Sequence, residues 1–326
     1  MTLLLSHDDV RAAVDMADAI HAMEDAFVEE GEGHTLLPQR INIKIGKGWL
    51  RVGPVAMEKS GWMGFKAMNL TPGQGVRYQV HLYAIESGAL LAIMDAQHLT
   101  TLRTGATSAI ATRRLARPGK AVTALLGSGP EARAQLEAMV VTGFVGEARV
   151  FSPTPANREA CAADFAARYG LDVRPVATAR EACDGASLVL AAVKSSEPVL
   201  LGEWLQPGTH VNSVGTARRD QREIDPEVFR RAATIVVDTR EGVFGEAGDA
   251  VVAIEAGAVK PEQTSELAQL ATGAATGRTD GAQITLFKSV GTGIQDIAIA
   301  AAIYANARAR GLGTQIGEFP YLKRNK

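Results

Sequence analysis

The sequence is poor in cysteine, with Cys161 and Cys183 the only two among 326 residues, and no group of metal-ligand spacing surrounds either one. Both lie in apolar helical patterns, which is typical of reduced thiols in a core. The N-terminal segment lacks a basic stretch followed by a long apolar one, so a signal peptide is not indicated. No apolar run reaches the ~20 residues that span a bilayer. These absences predict a cytoplasmic protein with no metal site.

An excess of charge of one sign is also absent. The chain carries 34 Lys and Arg residues against 36 Asp and Glu residues, a net charge of −2. The one basic run, residues 323–326, is predicted to be a solvated terminus. We therefore expect no nucleic-acid or membrane partner. Apolar residues make up 46% of the chain, and its length suffices for two domains with ordinary cores.

Residues 121–151 have the pattern of a strand, a tight turn, a helix and a second strand. An apolar run ends at the sequence Gly127-Ser128-Gly129-Pro130, and Ala132 follows. In dinucleotide-binding units the first glycine allows the turn, the second lets the backbone approach a pyrophosphate, and a small third residue lets the helix pack closely. Free amides and the helix dipole would then favour the phosphates. The alternative, an ordinary strand-to-helix turn, has less support from this context.

The end of the second strand bears on the choice of nucleotide. NAD-binding proteins usually carry Asp or Glu there, to bind the ribose 2′-hydroxyl. This chain has Ser152, Thr154 and Arg158 instead. Hydroxyls and a guanidinium can bind a 2′-phosphate, so NADP(H) is favoured and NAD(H) stays the alternative. Arg158 is equally well interpreted as a solvated residue of the next helix.

Patterns on either side of this segment differ. The apolar residues of segment 8–32 recur with helical spacing, which predicts a single helix with Ser6 as its cap. The pattern of residues 40–94 predicts short strands of a small, mostly antiparallel sheet. Beyond residue 151, strands and helices alternate, which predicts an α/β fold with a Rossmann-type, doubly wound parallel sheet. The last helix, 294–310, has no place in that sheet, and we expect it to pack on the first domain.

Three basic residues, Arg40, Lys66 and Arg103, lie in strand or turn contexts. Each alone would more often be a surface residue. Lys66 differs because it interrupts the apolar segment 63–68, where a buried ammonium is costly without an anionic partner. The carboxylate of a substrate would supply that partner.

Taken together, these segments make the sequence resemble the ornithine cyclodeaminase/mu-crystallin family. The resemblance covers nearly the whole chain in order, and it is carried by Arg40, residues 64–66, 92–95, 99–106, 127–129, 207–215 and 289–291. It implies a Rossmann domain, residues 116–292, inserted into a second α+β domain, residues 1–115 and 293–326, that binds substrate and forms a homodimer. It also implies that Arg40, Lys66 and Arg103 bind the substrate carboxylate. The implied cofactor contacts are Arg103, Thr104, Gly127, Ser128, Gly129, Pro130, Ser152, Thr154, Arg158, Val214, Gly215, Val290 and Gly291.

One position departs from the cyclodeaminase pattern. In those enzymes an aspartate follows the Val-Gly pair by two positions and is thought to activate the amine and the water, but this chain has Ala217 there. The segment from Arg218 is similar to the ketimine-reductase branch of the family. Asp220 is a conceivable replacement, although a solvated turn residue is the simpler interpretation. The family's usual threonine near Lys194 is also absent, so cofactor contacts at that loop stay open.

Loss of the aspartate is compatible with imine reduction, which needs a hydride, a fixed carboxylate and a proton on nitrogen but no base for water. The predicted function is an NAD(P)H-dependent reductase of small 2-imino acids, with Lys66 as the catalytic proton donor. A cyclic ketimine such as Δ1-pyrroline-2-carboxylate or Δ1-piperideine-2-carboxylate would give the L-amino acid. Three alternatives stay open: an acyclic imino-acid reductase that forms alanine or aspartate, such as an iminosuccinate reductase; an ornithine cyclodeaminase; and a non-enzymatic NADPH-binding protein. Arg77 or Arg218 would matter for a dicarboxylate.

Overall fold

The computed structural model describes residues 1–317, 319–320 and 322. The chain divides into two compact units: unit 1 comprises Met1–Arg103 and the residues from Thr292 onward, and unit 2 comprises Thr104–Gly291. The first boundary thus falls inside a helix, whereas the sequence places it after residue 115. Residues 323–326, for which a solvated terminus is predicted, lie outside the described residues.

The elements follow in chain order. The first part contains β1 (Leu3–Leu5), α1 (His7–Ala13), α2 (Met16–Gly31), β2 (Thr35–Leu36), β3 (Ile41–Ile45), β4 (Gly48–Met57), β5 (Trp62–Thr71), β6 (Gly75–Ala84), β7 (Leu90–Asp95) and α3 (Gln97–Leu115). The middle part contains β8 (Ala121–Leu126), α4 (Pro130–Val141), β9 (Val145–Phe151), α5 (Pro155–Tyr169), β10 (Asp172–Pro175), α6 (Ala179–Cys183), β11 (Leu188–Ala191), β12 (His210–Ser213), α7 (Pro226–Arg231), β13 (Ala232–Val237), α8 (Arg240–Glu246), α9 (Gly248–Glu255), β14 (Ser265–Glu266), α10 (Leu267–Ala271) and β15 (Ile284–Lys288). The last part contains α11 (Gly293–Arg310) and β16 (Thr314–Gln315).

Unit 1 is built on a sheet in the order β16-β1-β7-β6-β5-β4-β2, with β3 paired to β4. Strands β4 to β7 form antiparallel pairs, as the alternating pattern predicts, while β1 joins β7 in parallel. Helix α11 packs against α2 and β5 within this unit. The long Ala/Ile helix therefore lies on the first sheet.

The prediction of one helix over residues 8–32 is wrong, because the chain forms α1 and α2 there. Ser6 caps α1 in a capping box with Asp9, as predicted for its start. A second capping box joins Asp15 and Asp18 and begins α2. Reciprocal capping satisfies the first amides of a new helix, so the chain breaks between Ala13 and Met16 although the apolar stripe continues.

Unit 2 confirms the predicted α/β fold. Its parallel sheet has the order β10-β9-β8-β11-β12-β15-β13-β14, and helices connect the strands. All residues of β11 and β15 are buried, which is expected of central strands covered on both faces. The order reverses beside β8, and doubly wound sheets bind ligands at the carboxyl ends of the strands near such a point.

In the described ranges, none of the helices has the length and apolar character of a membrane span. Those same ranges hold no group of His, Cys, Asp or Glu side chains arranged to bind a metal ion.

Candidate active site

Lys66 lies in the middle of β5 and is 7% exposed. Its Nζ donates a hydrogen bond of 2.8 Å to Asp296 Oδ1, and Thr100 Oγ1 lies 3.4 Å away. Asp296 belongs to the first turn of α11, where the helix dipole favours a carboxylate. The structure thus gives the buried ammonium an anionic partner from within the protein.

Arg103 contacts the same turn of α11. Its Nη1 donates to Gln295 Oε1 at 2.9 Å, and its Nε lies 3.3 Å from Asp296 Oδ1. Arg103 is 8% exposed. Lys66 and Arg103 therefore share one buried carboxylate. These three side chains carry a net positive charge, which suits an anionic substrate.

Arg40 completes this group of charges from the segment before β3. A Cβ at Gly53 would lie 3.7 Å from Arg40 Cγ, and Gly53 is paired with Lys66 in the β4–β5 register. The stem of Arg40 therefore lies over the strand next to Lys66. We call Arg40, Lys66, Arg103 and Asp296 the carboxylate cluster.

Burial lowers the pKa of Lys66 from its ordinary 10.5 to about 8. Asp296 opposes this shift, while the charges of Arg103 and Arg40 reinforce it. An ammonium with such a pKa is still mostly protonated at neutral pH, yet it gives up its proton more readily than an exposed lysine. This is the property that a general acid requires.

Asp296 and Gln295 were not predicted from the sequence. The available signal was a single acidic residue in the otherwise Ala- and Ile-rich helix 294–310. Buried polar residues in an apolar helix need partners, and the unexplained charge of Lys66 offered one.

The glycine turn follows β8 at the carboxyl edge of the second sheet. Gly127 has φ of 115°, and a Cβ there would lie 2.6 Å from the carbonyl oxygen of Ala192 and 3.2 Å from Ala132 Cβ. The fold itself therefore requires glycine at 127. Gly129, the N-cap of α4, differs because a Cβ there would meet nothing within 4 Å. The backbone at the helix start is therefore uncovered, with Pro130 at the first helical position, which is the condition that close approach of a phosphate group requires.

The residues at the end of β9 lie close together. Ser152 is buried, and its carbonyl oxygen accepts a hydrogen bond of 2.9 Å from Arg158 Nη1. Thr154 is the N-cap of α5, and its side chain makes no capping hydrogen bond. The guanidinium of Arg158 is thus held beside the strand end. The guanidinium of Arg133 is held beside the glycine turn in the same way, because its Nε donates to the carbonyl of Ser128 at 3.1 Å.

Buried carboxylates hold the other predicted cofactor residues of unit 2. The amides of Val290 and Gly291 donate to Asp238 Oδ2 at 3.0 and 2.6 Å. Gly215, which follows Val214, donates to Glu223 Oε1 at 2.8 Å. Thr104, directly after Arg103 in α3, is buried. Neither Asp238 nor Glu223 was predicted, because nothing local distinguishes them from surface acids.

The structure favours the interpretation of Asp220 as a solvated turn residue over its use as a replacement for the aspartate that is absent at Ala217. The side chain of Asp220 is 65% exposed and pairs with Arg218, whose Nη2 lies 2.5 Å away. Ala217 itself packs against the apolar core of unit 2. Arg77 is an exposed residue of β6, paired in register with Asn69 near the hairpin end.

Unit 2 has the fold of a dinucleotide-binding domain, and unit 1 carries buried cations of the kind that bind carboxylates. The model of the ornithine cyclodeaminase/mu-crystallin family matches residues 1–311, and the chain belongs to this family. The sequence resemblance is thereby confirmed.

Three relatives illustrate the similarity. The ketimine reductase mu-crystallin of Mus musculus is 31% identical over 91% of this chain and 93% of its own length. The Δ1-pyrroline-2-carboxylate reductase of Thermococcus litoralis, solved with NADH and L-proline, is 34% identical and superposes with a TM-score of 0.91, covering 96% of this chain and 100% of the other. An archaeal alanine dehydrogenase dimer with bound NAD is 31% identical, with a TM-score of 0.92, and the match covers 98% and 99% of the two chains.

Proposed function

We propose that the protein is an NADPH-dependent reductase of small cyclic 2-imino acids, which converts Δ1-pyrroline-2-carboxylate or Δ1-piperideine-2-carboxylate to the L-amino acid. The observation that carries the proposal is the carboxylate cluster, in which the buried Lys66 and Arg103 share the Asp296 carboxylate and the half-buried Arg40 adds a third positive charge beside Lys66. The similar ketimine and Δ1-pyrroline-2-carboxylate reductases support it. Ala217 disfavours cyclodeaminase chemistry, since the base for that reaction is missing.

In this mechanism Arg40 and Arg103 bind and orient the substrate carboxylate. Lys66 donates a proton to the imine nitrogen, and it regains one from water after the reaction. The dihydronicotinamide, when bound, supplies the hydride that reduces the imine carbon. Asp296 stabilises the protonated form of Lys66 before the transfer. A fixed carboxylate beside the proton donor places the C=N bond for reaction, a contribution that can be worth orders of magnitude in rate.

The preference for NADPH rests on the end of β9. No carboxylate stands at residues 152–158, and the guanidinium of Arg158 is held there by the Ser152 carbonyl. The hydroxyl of Thr154 is the second group that we assign to the 2′-phosphate. The glycine turn, with Val214–Gly215 and Val290–Gly291, completes the proposed cofactor site.

We also propose a homodimer formed through unit 1. All five residues of β3 are exposed, among them Ile41, Ile43 and Ile45 at 56, 49 and 65%. An apolar strand of this kind is a natural site for association. A sedimentation mass of one 34.4 kDa chain at micromolar concentration would contradict this assembly.

The function is tested by assaying a panel of substrates, with the oxidation of NADPH measured as the decrease in absorbance at 340 nm. We expect the highest kcat/KM for the two cyclic ketimines. Pyruvate or oxaloacetate with ammonia serves as the acyclic arm, and faster turnover there would identify an alanine- or aspartate-forming enzyme. Ammonia release from ornithine without added reductant would identify a cyclodeaminase. Cofactor binding without any oxidation would leave only the binding role.

A further inference from the structure

A second group of buried charges lies in unit 2, where β11, β12 and β15 end. The side chains of Glu223 and Lys288 are both 0% exposed, and Asp249 is 1% exposed. Two neighbouring hydroxyls belong to the same hydrogen-bonded group, which we call the strand-end cluster: Ser213, Thr216, Glu223, Asp249 and Lys288.

Glu223 joins two adjacent strands through its two carboxylate oxygens. Oε1 accepts hydrogen bonds from Ser213 Oγ at 2.6 Å and from the Gly215 amide at 2.8 Å, both at the end of β12. Oε2 accepts from the amide of Val193, just beyond β11, at 3.0 Å. One side chain therefore sets the spacing between the loops that follow β11 and β12.

The position of Glu223 is itself fixed. Its backbone carbonyl accepts from the amides of Val199 and Leu200 at 2.9 and 3.0 Å. A Cβ at Gly215 would lie 2.4 Å from Glu223 Oε2 and 2.4 Å from the Val193 nitrogen. No free space separates these groups, so neither loop can shift without breaking the contact.

Lys288 extends the connection to a third strand. Its Nζ donates to Ser213 Oγ, Thr216 Oγ1 and Asp249 Oδ2, each at 2.9 Å. Lys288 is the last residue of β15 and directly precedes the turn 289–291. The cluster thus links the ends of three neighbouring strands, which are the ends that carry the predicted cofactor loops.

Such a cluster is not explained by stability. Desolvation of three charged groups is costly, and apolar packing of the same volume often stabilises a protein at least as well. Burial raises the pKa of Glu223, although the nearby Lys288 opposes the rise. The group holds two carboxyls and one ammonium, so removing the charge of Glu223 leaves Lys288 balanced by Asp249.

We propose that Glu223 is a positioning residue that fixes the loops at Val193 and Gly215 in the arrangement that holds the nicotinamide half of the cofactor. This inference rests on the proposed cofactor. The glycine turn and the end of β9 lie on one side of the sheet order and suit the pyrophosphate and the adenosine. The strands on the other side, β11 and β12, belong to the second half of a doubly wound fold, which binds the second nucleotide.

The test compares two probes, NADPH and 2′,5′-ADP, whose binding is measured by calorimetry on the full chain. We expect Glu223→Gln to raise the Kd of NADPH about tenfold, the factor that corresponds to about 1.4 kcal/mol. An amide cannot accept from both backbone N–H groups, which leaves one of them without a partner. Binding of 2′,5′-ADP, which lacks the nicotinamide half, should change less than about twofold. Glu197→Gln is the matched control, because Glu197 is 76% exposed in the loop after β11.

Glu223→Asp keeps the charge but is one methylene too short to reach both amides. It should lose NADPH affinity as Glu223→Gln does, which distinguishes positioning from a charge effect. If Glu223→Gln does not fold, Ser213→Ala removes one donor to the carboxylate, and a smaller loss confined to NADPH is expected. Equal weakening of both probes, or of neither, overturns the inference. Wild-type protein that binds neither probe would instead refute the proposed function.

Discussion

Replacing Asp296 by asparagine tests the carboxylate cluster most directly. The substitution removes the charge 2.8 Å from Lys66 Nζ while keeping the shape of the side chain. Because the carboxylate stabilises the ammonium, its loss must lower the pKa of Lys66 below its present value of about 8. An opposite charge within ~4–6 Å shifts a pKa by about 1–3 units, each worth about 1.4 kcal/mol. At pH 7 the protonated fraction of Lys66 would then fall from roughly nine-tenths to about one half or less.

The assay is kcat/KM for Δ1-piperideine-2-carboxylate reduction as a function of pH. Activity should decline as pH rises through the pKa of Lys66, and Asp296→Asn should move this alkaline limb to lower pH by about one unit or more. Titration of the substrate is the same for both proteins, so the difference isolates the enzyme. Asp25→Asn is the control, since that carboxylate is 73% exposed on α2. An alkaline limb that stays in place or moves upward would refute the assigned role of Lys66.

Three further predictions concern Lys66, the cofactor and Ala217. The folded state lowers the pKa of Lys66 from 10.5 to about 8, so it binds fewer protons than the unfolded chain in that window. The free energy of unfolding of wild type, relative to Lys66→Met, should therefore increase by about 3 kcal/mol as pH rises from about 8 to 10.5, and an unchanged difference in urea titrations would contradict the buried ammonium. Arg158→Ala should raise the KM for NADPH roughly tenfold or more with no effect on NADH, because a charge-assisted phosphate contact contributes about 1.5–3 kcal/mol; Arg174→Ala, at an exposed site, is its control. Ala217→Asp should not accelerate imine reduction, since no step awaits a base there, and a faster steady-state rate would be inconsistent with the mechanism.

Sequence reasoning succeeded where the signal is local. A lysine inside an apolar strand predicts a buried charge, and the structure buries Lys66. The turn at Gly127 and the capping residue Ser6 are recognised from a few neighbouring positions. The parallel sheet follows from the alternation of strands and helices, which the chain maintains over much of its length.

The remaining features depend on tertiary contacts. Asp296 becomes the partner of Lys66 only because α11 packs on β5, and Glu223 reaches Val193 from another loop. Nothing in the polar sequence around Glu223 distinguishes this residue from a surface charge. The break between α1 and α2 escaped prediction because the apolar positions continue in phase across Asp15. Ion pairs between residues that are distant in sequence are thus the features of this structure that local sequence patterns do not predict.

The separation of Lys66 and Asp296 along the chain has a consequence for synthesis. The two residues are 230 positions apart, and the whole of unit 2 lies between them. During translation, unit 2 is a continuous segment that can fold before α11 is made, whereas β5 can pack against α11 only after the last part of the chain has been synthesised. Until α11 has been synthesised, Lys66 lacks its carboxylate partner, and the face of the first sheet that α11 covers is exposed to solvent. The proposed substrate-binding cluster can therefore be completed only after the whole of unit 2 has been synthesised.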